Sequence, residues 1–359
     1  MVQPAPAPPR RAPPRPAGRA RRGGRGGRGA LLAALGAALA AGPARARGEG
    51  GVGTLPPGMV ALRGGTFQAG AEGFYPEEAP ARQAWVGPFA IDAGAVTNVE
   101  FEAFAGGPPG APPRYSTDAE KFGDSFAPSW QVPQSMGDSV ERAVADAQWW
   151  LPVPGAFWRS PEGPDSAVMG GREDHPAVHV SHRDASAFCA WAGKRLPSSD
   201  EWEYAARGGL DGVPFPWGRG EEDLALRANT FEGAFPEPDA EPADGCRATC
   251  PSRSFPPNAF GLFNMVGNVW EWVATEAPAP SGRVAPGAGV KSYFLRGGSY
   301  MCHRSYCHRY RVSALTAATE DSSASHYGFR CAVSLSPDSG ADFTDGAGGV
   351  GSVGAGGEL

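Results

Sequence analysis

Glycine and proline occur so often in this chain that they constrain its fold more than any other feature. The chain holds 52 glycines and 37 prolines, about a quarter of its 359 residues. Glycine destabilises the interior of helices and strands, and proline interrupts both. The chain is nevertheless 41% hydrophobic, with ten tryptophans that can bury large areas. We therefore expect a loop-dominated globular domain with short regular elements.

The N-terminus has the layout of a secretory signal peptide. A Pro/Arg/Gly-rich region covers residues 1–29, a short apolar stretch covers 30–41, and a small-x-small cleavage site lies at 44–46. The apolar stretch is shorter than the roughly 20 residues that span a bilayer. We predict a signal peptide at 1–46, entry into the endoplasmic reticulum lumen, and a linker at 47–57. An organelle transit peptide and a non-targeting tail remain as alternatives.

Charge is distributed unevenly along the chain. Residues 1–46 contain nine arginines and no acid, so their removal takes the net charge from −6 to near −15. An acidic body argues against nucleic-acid binding, and we expect no membrane association after signal cleavage. The Gly/Ala/Ser-rich residues 336–359 are predicted to be a disordered tail. One domain at 58–335 remains.

Short patterns within this domain predict individual elements. Two segments begin with a serine followed three residues later by an acid and end at glycine, which predicts helices within 181–193 and 198–209. Helical spacing also occurs at 139–147. A strand, a glycine turn and a second strand are indicated at 60–68.

The segment 297–311 carries the most suggestive chemistry. Cys302 and Cys307 lie five residues apart in a basic, aromatic setting. Three arginines in this segment favour thiolate over thiol; they are Arg304, Arg309 and Arg311. Two soft thiolates without an obligatory third ligand suit Cu(I) better than zinc, which takes four ligands. A zinc site completed by His303 and His308 would strain the backbone, and a plain local disulfide remains open.

A series of ordered landmarks across residues 58–335 resembles the formylglycine-generating enzyme family, also called sulfatase-modifying factors. The landmarks lie at residues 64–67, 119–126, 149–153, 161–166, 175–181, 191–197, 201–210, 255–258, 267–272, 297–311 and 328–331. The domain alone also occurs in other proteins, whereas the Cys302/Cys307 segment is specific to the oxidase. The resemblance implies an α+β, C-type-lectin-like fold with little regular secondary structure.

The resemblance also implies an activity and a site. Cys302 and Cys307 would bind Cu(I), and a client cysteine would add a third thiolate. Reaction with dioxygen would give a thioaldehyde, which water converts to formylglycine. Trp270 and Ser299 match residues that line the oxygen pocket of the family.

Further residues match the family's contacts with its clients. These clients would be unfolded or nascent sulfatases that carry Cys-x-Pro-x-Arg. Asp124 matches the residue that pairs with the arginine of this motif, and His326 replaces an asparagine near the substrate groove. Two other departures are His182, at a usual tryptophan, and Leu315, at a frequent arginine.

Calcium sites and disulfides carry over by position. The first calcium site matches Asn229, Asp244 and the carbonyls of Thr230 and Cys246, and the second matches Asn264, Glu271 and the carbonyls of Gly267 and Val269. Cys189 and Cys331 match a family disulfide. A second family bridge is absent, because its positions hold Ala206 and Val312. Cys246 and Cys250 are extra, and we predict that they bond to each other.

Three other functions compete with the oxidase. The first is a non-catalytic relative that binds sulfatases without oxidising them. The second is a mononuclear iron oxidase, for which His175, His179 and His182 form the one histidine cluster in the sequence, although their spacing does not make an obvious triad. The third is a structural protein in which Cys302 and Cys307 form an inert bridge.

Overall fold

The computed structural model describes residues 55–108, 111–133, 147–278 and 289–344. All of them belong to one compact unit. The predicted signal peptide, most of the predicted linker, and the predicted helix at 139–147 apart from its last position lie outside the described residues. Within the described ranges, no helix has the length and apolar character needed to cross a bilayer.

The α-helices in the described ranges are short, and each begins at a capping box. They are α1 (Asn98–Ala105), α2 (Asp118–Phe122), α3 (His182–Trp191) and α4 (Ser199–Arg207). In each, a threonine or serine side chain accepts from the third backbone N–H, and an acidic side chain accepts from the cap residue's N–H. The predictions of α3 and α4 are confirmed, whereas α1 and α2 were not predicted although they carry the same signal.

The strands are equally short. They are β1 (Met59–Leu62), β2 (Gly65–Ala69), β3 (Arg82–Val86), β4 (Phe89–Asp92), β5 (Asp124–Pro128), β6 (Trp150–Pro154), β7 (Gly233–Ala234), β8 (Glu237–Pro238), β9 (Trp270–Ala277), β10 (Ser292–Arg296), β11 (Leu315–Thr319), β12 (Tyr327–Phe329), β13 (Ala332–Ser334) and β14 (Phe343–Thr344). They form two four-stranded sheets, ordered β13-β4-β1-β14 and β11-β10-β9-β12, and the two-stranded pairs β2-β3, β5-β6 and β7-β8. The prediction of an α+β fold with little regular secondary structure is confirmed.

The predicted strands at 60–68 are present as β1 and β2, and the chain changes sheet between them. β1 pairs with β4, whereas β2 pairs with β3. Gly64 makes this change at a φ of +70°, and a Cβ there would lie 2.2 Å from the carbonyl oxygen of Val86. Only glycine fits so close an approach in this backbone conformation.

The domain extends beyond its predicted end. We expected disorder from residue 336, but Phe343 and Thr344 form β14 and pair in parallel with Ala61 and Leu62 of β1. The guanidinium of Arg63 also lies 4.8 Å from the centre of the Phe343 ring. The strand covers an edge of the first sheet, which explains why this stretch of the tail is ordered. Residues 345–359 lie outside the described residues.

An aromatic core joins the helices to the sheets. Phe101 of α1 packs against Phe188 of α3 at 5.8 Å and against Phe329 of β12 at 6.2 Å. The disulfide between Cys189 and Cys331 ties α3 to the segment between β12 and β13, with 5.7 Å between the Cα atoms. The implied pairing of these two cysteines is therefore confirmed. The core holds both ends of the domain together around the loops that carry the site.

Candidate active site and calcium loop

Cys302 and Cys307 meet in a loop that follows β10. Their Sγ atoms lie 2.7 Å apart, and both cysteines are free. A tight turn causes this approach, because the N–H groups of Tyr306 and Cys307 both donate to the carbonyl of His303, at 3.1 and 2.7 Å. The sulfurs are thus brought together locally, without a covalent bond between them.

The pKa values of the two thiols are shifted in opposite directions. Burial raises the pKa of Cys302 well above its usual value, and only 1% of this residue is exposed. The pKa of Cys307 is lowered, first by the hydrogen bond from Cys302 and then by the guanidinium of Arg309. Of the two sulfurs, Cys307 is therefore the one that loses its proton first. Burial therefore opposes the predicted thiolate at Cys302, whereas Arg309 supports it at Cys307.

The three arginines of the segment contact different partners. Arg309 acts on Cys307 and is held by Glu77, 2.8 Å from its Nη2. Arg311 forms a fully buried ion pair with Glu78. Arg304 is largely exposed and lies 4.0 Å from Glu221. The predicted joint effect of the three on the thiols is thus concentrated in Arg309.

Ser299 and Trp270, the two predicted oxygen-pocket residues, are both buried. The carbonyl of Ser299 accepts from the N–H of Cys302 at 2.8 Å, and the Ser299 hydroxyl contacts the Cys302 sulfur. Trp270 begins β9 and belongs to the core cluster that also contains Cys302. The N–H of Trp270 donates to the carbonyl of His326 at 2.8 Å. The structure therefore places Ser299 against Cys302 and places Trp270 in the same core cluster, and the role of both in an oxygen pocket stays a prediction.

A row of stacked side chains leads from the cysteine loop to Asp124. His326 lies with Nδ1 2.8 Å from the Met301 sulfur and stacks on Trp150 at 5.0 Å. Trp150 in turn stacks on Phe126 at 6.0 Å. Asp124 is exposed two residues before Phe126 on β5 and therefore points to the same face. We call Phe126, Trp150 and His326 the aromatic row.

The protonation state of His326 follows from its surroundings. Burial lowers the pKa of His326 to about 3. The imidazole is therefore neutral at neutral pH, with one nitrogen directed at Met301. It offers a hydrogen-bonding group to the row without adding charge.

A second aromatic group flanks Cys307 and was not predicted as part of the site. Tyr306 packs on Phe235 at 4.1 Å, and Phe235 packs on Trp149 at 4.6 Å. The hydroxyl of Tyr306 donates to the carbonyl of Met301. The only signal in the sequence is the position of Tyr306 beside Cys307. Its partners come from segments far away in the chain.

The predicted ligands of the first calcium site lie together. Asn229 Oδ1 and Asp244 Oδ2 are buried and lack hydrogen-bond partners among the described residues. The N–H of Cys246 donates to Asp244 Oδ1 at 2.8 Å, and the backbone of Thr230 also bonds to this carboxylate. Burial raises the pKa of Asp244 to about 6. Buried oxygens without partners suit a hard cation such as calcium, so this donor set fits the ion.

The second calcium site fits less well. Asn264 Oδ1 is likewise buried without a partner in the described part of the chain. However, the Glu271 carboxylate is already paired with Arg330, at 2.7 and 2.8 Å, and accepts from the indole of Trp202 at 2.7 Å. The carbonyl donors, Gly267 and Val269, are separated by one residue. Because Arg330 already neutralises Glu271, the donor set lacks a free negative charge.

The histidine alternatives are not supported. Among the described residues, no three His, Cys, Asp or Glu side chains are grouped to hold a metal ion. His179 bonds to Ser125 and to the carbonyl of Pro161, at 2.8 and 2.9 Å, and His182 stacks on Tyr293 at 3.5 Å. The predicted histidine cluster therefore serves packing and hydrogen bonding.

Known sequences with the same pattern share this domain. The sequence model of the family described as "Sulfatase-modifying factor enzyme 1-like domain" matches residues 51–335. The chain is 46% identical over 306 residues to the formylglycine-generating enzyme of Bos taurus, covering 81% of this chain and 78% of that protein. It is 42% identical over 281 residues to the Bos taurus protein named inactive C-alpha-formylglycine-generating enzyme 2, covering 76% and 87%.

A solved structure shares the fold. PvdO from Pseudomonas aeruginosa superposes with a TM-score of 0.51 at 27% sequence identity, covering 77% of this chain and 94% of that chain. The family match spans the cysteine loop, the second sheet, and the first sheet apart from β14. On these grounds the chain belongs to the sulfatase-modifying factor family, which includes proteins named formylglycine-generating enzymes.

Proposed function

We propose that this protein oxidises the cysteine of Cys-x-Pro-x-Arg motifs in sulfatases to formylglycine, using dioxygen, Cu(I) and a thiol reductant. The observation that carries the proposal is the pair of free sulfurs, Cys302 and Cys307, 2.7 Å apart beside the buried Ser299. Family membership supports an enzyme that modifies cysteine. Copper and dioxygen rest on the chemistry of the donor set.

The donor set fits Cu(I). Two cysteines without a third side-chain ligand make a soft, low-coordinate site. When bound, Cu(I) would supply a redox centre with room for a third thiolate. Zinc is disfavoured here because it takes four ligands. Burial raises the pKa of Cys302, so binding of Cu(I) by both sulfurs would require loss of the Cys302 proton.

The protein's own residues supply binding and shielding. Burial of Cys302 and Ser299 keeps water away from the Cys302 sulfur, while Cys307 is partly exposed. The Asp124 carboxylate is exposed and would pair with the arginine of the client motif. Between these ends, the aromatic row offers an apolar surface for the residues that separate the client cysteine from its arginine. This arrangement supports a client segment bound in an extended form.

The overall reaction is balanced with a thiol co-reductant. One peptide cysteine, one dioxygen and two thiols give one formylglycine, one hydrogen sulfide, one water and one disulfide. The peptide cysteine loses two electrons on the way to a thioaldehyde, and the two thiols supply the other two that dioxygen requires. Water then replaces the sulfur of the thioaldehyde.

A peptide assay tests the proposal. The reduced protein, loaded with Cu(I), is incubated with dioxygen, a thiol and a Cys-x-Pro-x-Arg peptide. We expect oxygen uptake, a mass loss at the peptide cysteine and an aldehyde that reacts with hydroxylamine. Cys302→Ser and Cys307→Ser should each abolish the conversion, and Ser305→Ala, an exposed change in the same loop, should not. Peptide binding without mass change would instead identify a non-catalytic sulfatase-binding relative.

Asp124 is tested by pairing two changes. Asp124→Asn should lower kcat/KM about 10- to 100-fold, the value of a charged hydrogen bond of about 1.5–3 kcal/mol. A peptide with glutamine in place of its arginine should lose the same factor with the unmodified protein. Asp124→Asn assayed with the glutamine peptide should lose no more kcat/KM than either change alone. Additive losses would show that Asp124 does not contact this arginine.

Two further proposals concern calcium and location. We propose that calcium binds Asn229, Asp244 and the carbonyls of Thr230 and Cys246, because the side chains of Asn229 and Asp244 each bury an oxygen that has no partner in the described part of the chain. We also propose that the protein enters the secretory pathway and acts in the endoplasmic reticulum lumen. Its N-terminal layout supports this location, and N-terminal sequencing of the mature protein tests it.

A further inference from the structure

A disulfide closes the loop that carries the calcium ligands. Cys246 and Cys250 are bonded, with 5.7 Å between their Cα atoms, which confirms the predicted pairing. Asp244 lies two residues before this bridge, and the carbonyl of Cys246 lies within it. The bridge was extra to the family pattern, so the resemblance assigns it no role.

The bridged loop is docked through its backbone onto two asparagines. Asn229 Nδ2 donates to the carbonyl of Ala248 at 2.7 Å. The Asn268 amide accepts from the N–H of Cys250 at 2.8 Å and donates to its carbonyl at 3.1 Å. The carbonyl of Asn268 also accepts from the N–H of Tyr300, at 3.0 Å, in the cysteine loop. The conformation of 246–250 therefore controls both asparagines.

These contacts orient the oxygens that would bind the ion. Asn229 Nδ2 donates to the carbonyl of Ala248 and also to Asn268 Oδ1, at 3.1 Å, which leaves Oδ1 of Asn229 buried without a partner among the described residues. Asp244 is held by the N–H of Cys246 and by the backbone of Thr230. A loop free to move would remove the bonds from Ala248 and Cys246 and so loosen both side chains. Calcium would then have to order the loop before binding, which lowers its affinity.

We propose that the Cys246–Cys250 disulfide pre-organises the calcium site, so that reduction of this bridge weakens calcium binding. The inference rests on the calcium-site proposal and not on the oxidase. The chain-entropy model for a closed loop of this length sets the largest effect at about 30-fold. We expect calcium affinity to fall at least about tenfold on loss of the bridge.

The redox step needs an external dithiol. One of its thiolates attacks Sγ of Cys246, which is partly exposed, and Cys250 leaves as a thiolate. The second thiol of the reductant then displaces Cys246 and closes the reductant's own disulfide. Two electrons and two protons pass from the dithiol to the protein. Cys250 is 1% exposed, so attack through Cys246 is favoured.

Calorimetric titration with calcium chloride tests the proposal. The full chain with its bridges intact is compared with Cys246→Ser/Cys250→Ser and with Asp244→Asn. We expect tight binding to the intact protein, binding at least about tenfold weaker to the double serine variant, and none at this site in Asp244→Asn. If the intact and double serine proteins bind calcium with equal affinity while Asp244→Asn loses binding, the proposed role of the bridge is overturned and the calcium site is kept. Unchanged binding in Asp244→Asn would overturn the calcium site as well.

A second measurement uses the unmodified protein and so does not depend on the folding of a variant. By linkage, calcium must protect the bridge from reduction by the same factor by which the bridge strengthens calcium binding. The reduced fraction at a fixed dithiol ratio is read by alkylation and peptide mass spectrometry, with and without calcium. The fully buried Cys189–Cys331 bridge serves as the internal control. A reduced fraction that is the same with and without calcium would contradict the proposal.

Discussion

Replacing Glu78 by glutamine removes the negative partner of a guanidinium that has no exposed surface. The side chains of Glu78 and Arg311 are each 0% exposed. Arg311 Nη1 donates to Glu78 Oε2 at 2.6 Å, and the hydroxyl of Ser313 donates to the same oxygen at 2.7 Å. Arg311 lies four residues after Cys307. The pair therefore joins the segment at 76–78 to the end of the cysteine loop.

The expected cost follows from burial. Breaking a buried pair by neutralising one partner costs about 3–5 kcal/mol, because the other charge stays buried without compensation. For a domain of this size that loss lowers Tm by roughly 10 °C. The pair formed by Lys291 and Glu276 is a matched control, since both side chains are 55% exposed. Glu276→Gln should therefore change the free energy of unfolding far less than Glu78→Gln does.

Urea unfolding followed by tryptophan fluorescence measures both variants with the disulfides intact. A third variant, Glu78→Met/Arg311→Met, replaces the pair with apolar side chains. It should recover most of the stability lost in Glu78→Gln, because no unpaired charge remains. If Glu78→Gln cost no more than Glu276→Gln, the uncompensated-charge reasoning would be refuted.

Two further predictions concern stability. Removal of the long bridge by Cys189→Ala/Cys331→Ala, which spans 142 residues, should cost about 5 kcal/mol of unfolding free energy in the chain-entropy model; a loss below about 1 kcal/mol in urea unfolding would contradict that estimate. Burial lowers the pKa of His182 to about 4, so its stabilising contribution is present above its unfolded pKa of about 6.5 and is lost as pH falls toward 4. His182→Phe should therefore flatten the fall in unfolding free energy between pH 6.5 and 4 by up to about 3 kcal/mol, and an unchanged slope would count against it.

The helix starts show how far local patterns reach. The capping boxes at Ser181 and Ser198 predicted two helices correctly. The same pattern at Thr97 and Thr117 starts α1 and α2, which were missed because proline and glycine follow close behind and no long apolar stripe accompanies them. A capping box depends only on two residues that are three positions apart, so it can be recognised from the sequence wherever it occurs. The helix that follows can nevertheless be as short as five residues.

The tail shows the limit of composition. Its Gly/Ala/Ser content predicted disorder, yet Phe343 pairs with the edge of β1 and its ring lies against the guanidinium of Arg63. Whether an isolated aromatic residue is ordered depends on the surface that it meets. That surface is formed by a segment almost 300 residues away in the sequence, and composition carries no information about it.

The sequence by itself determined the loop-dominated fold class, the capped starts of the helices and the spacing of Cys302 and Cys307, because each depends on neighbours in the chain. Only the tertiary structure decided which thiol has the higher pKa, which arginine acts on Cys307, and which oxygens of the described residues are buried without partners. Those outcomes are set by burial and charge from distant segments, such as Glu77 beside Arg309, 232 residues apart. Electrostatic free energies depend on distance in space and on exclusion of water, and neither can be read along the chain.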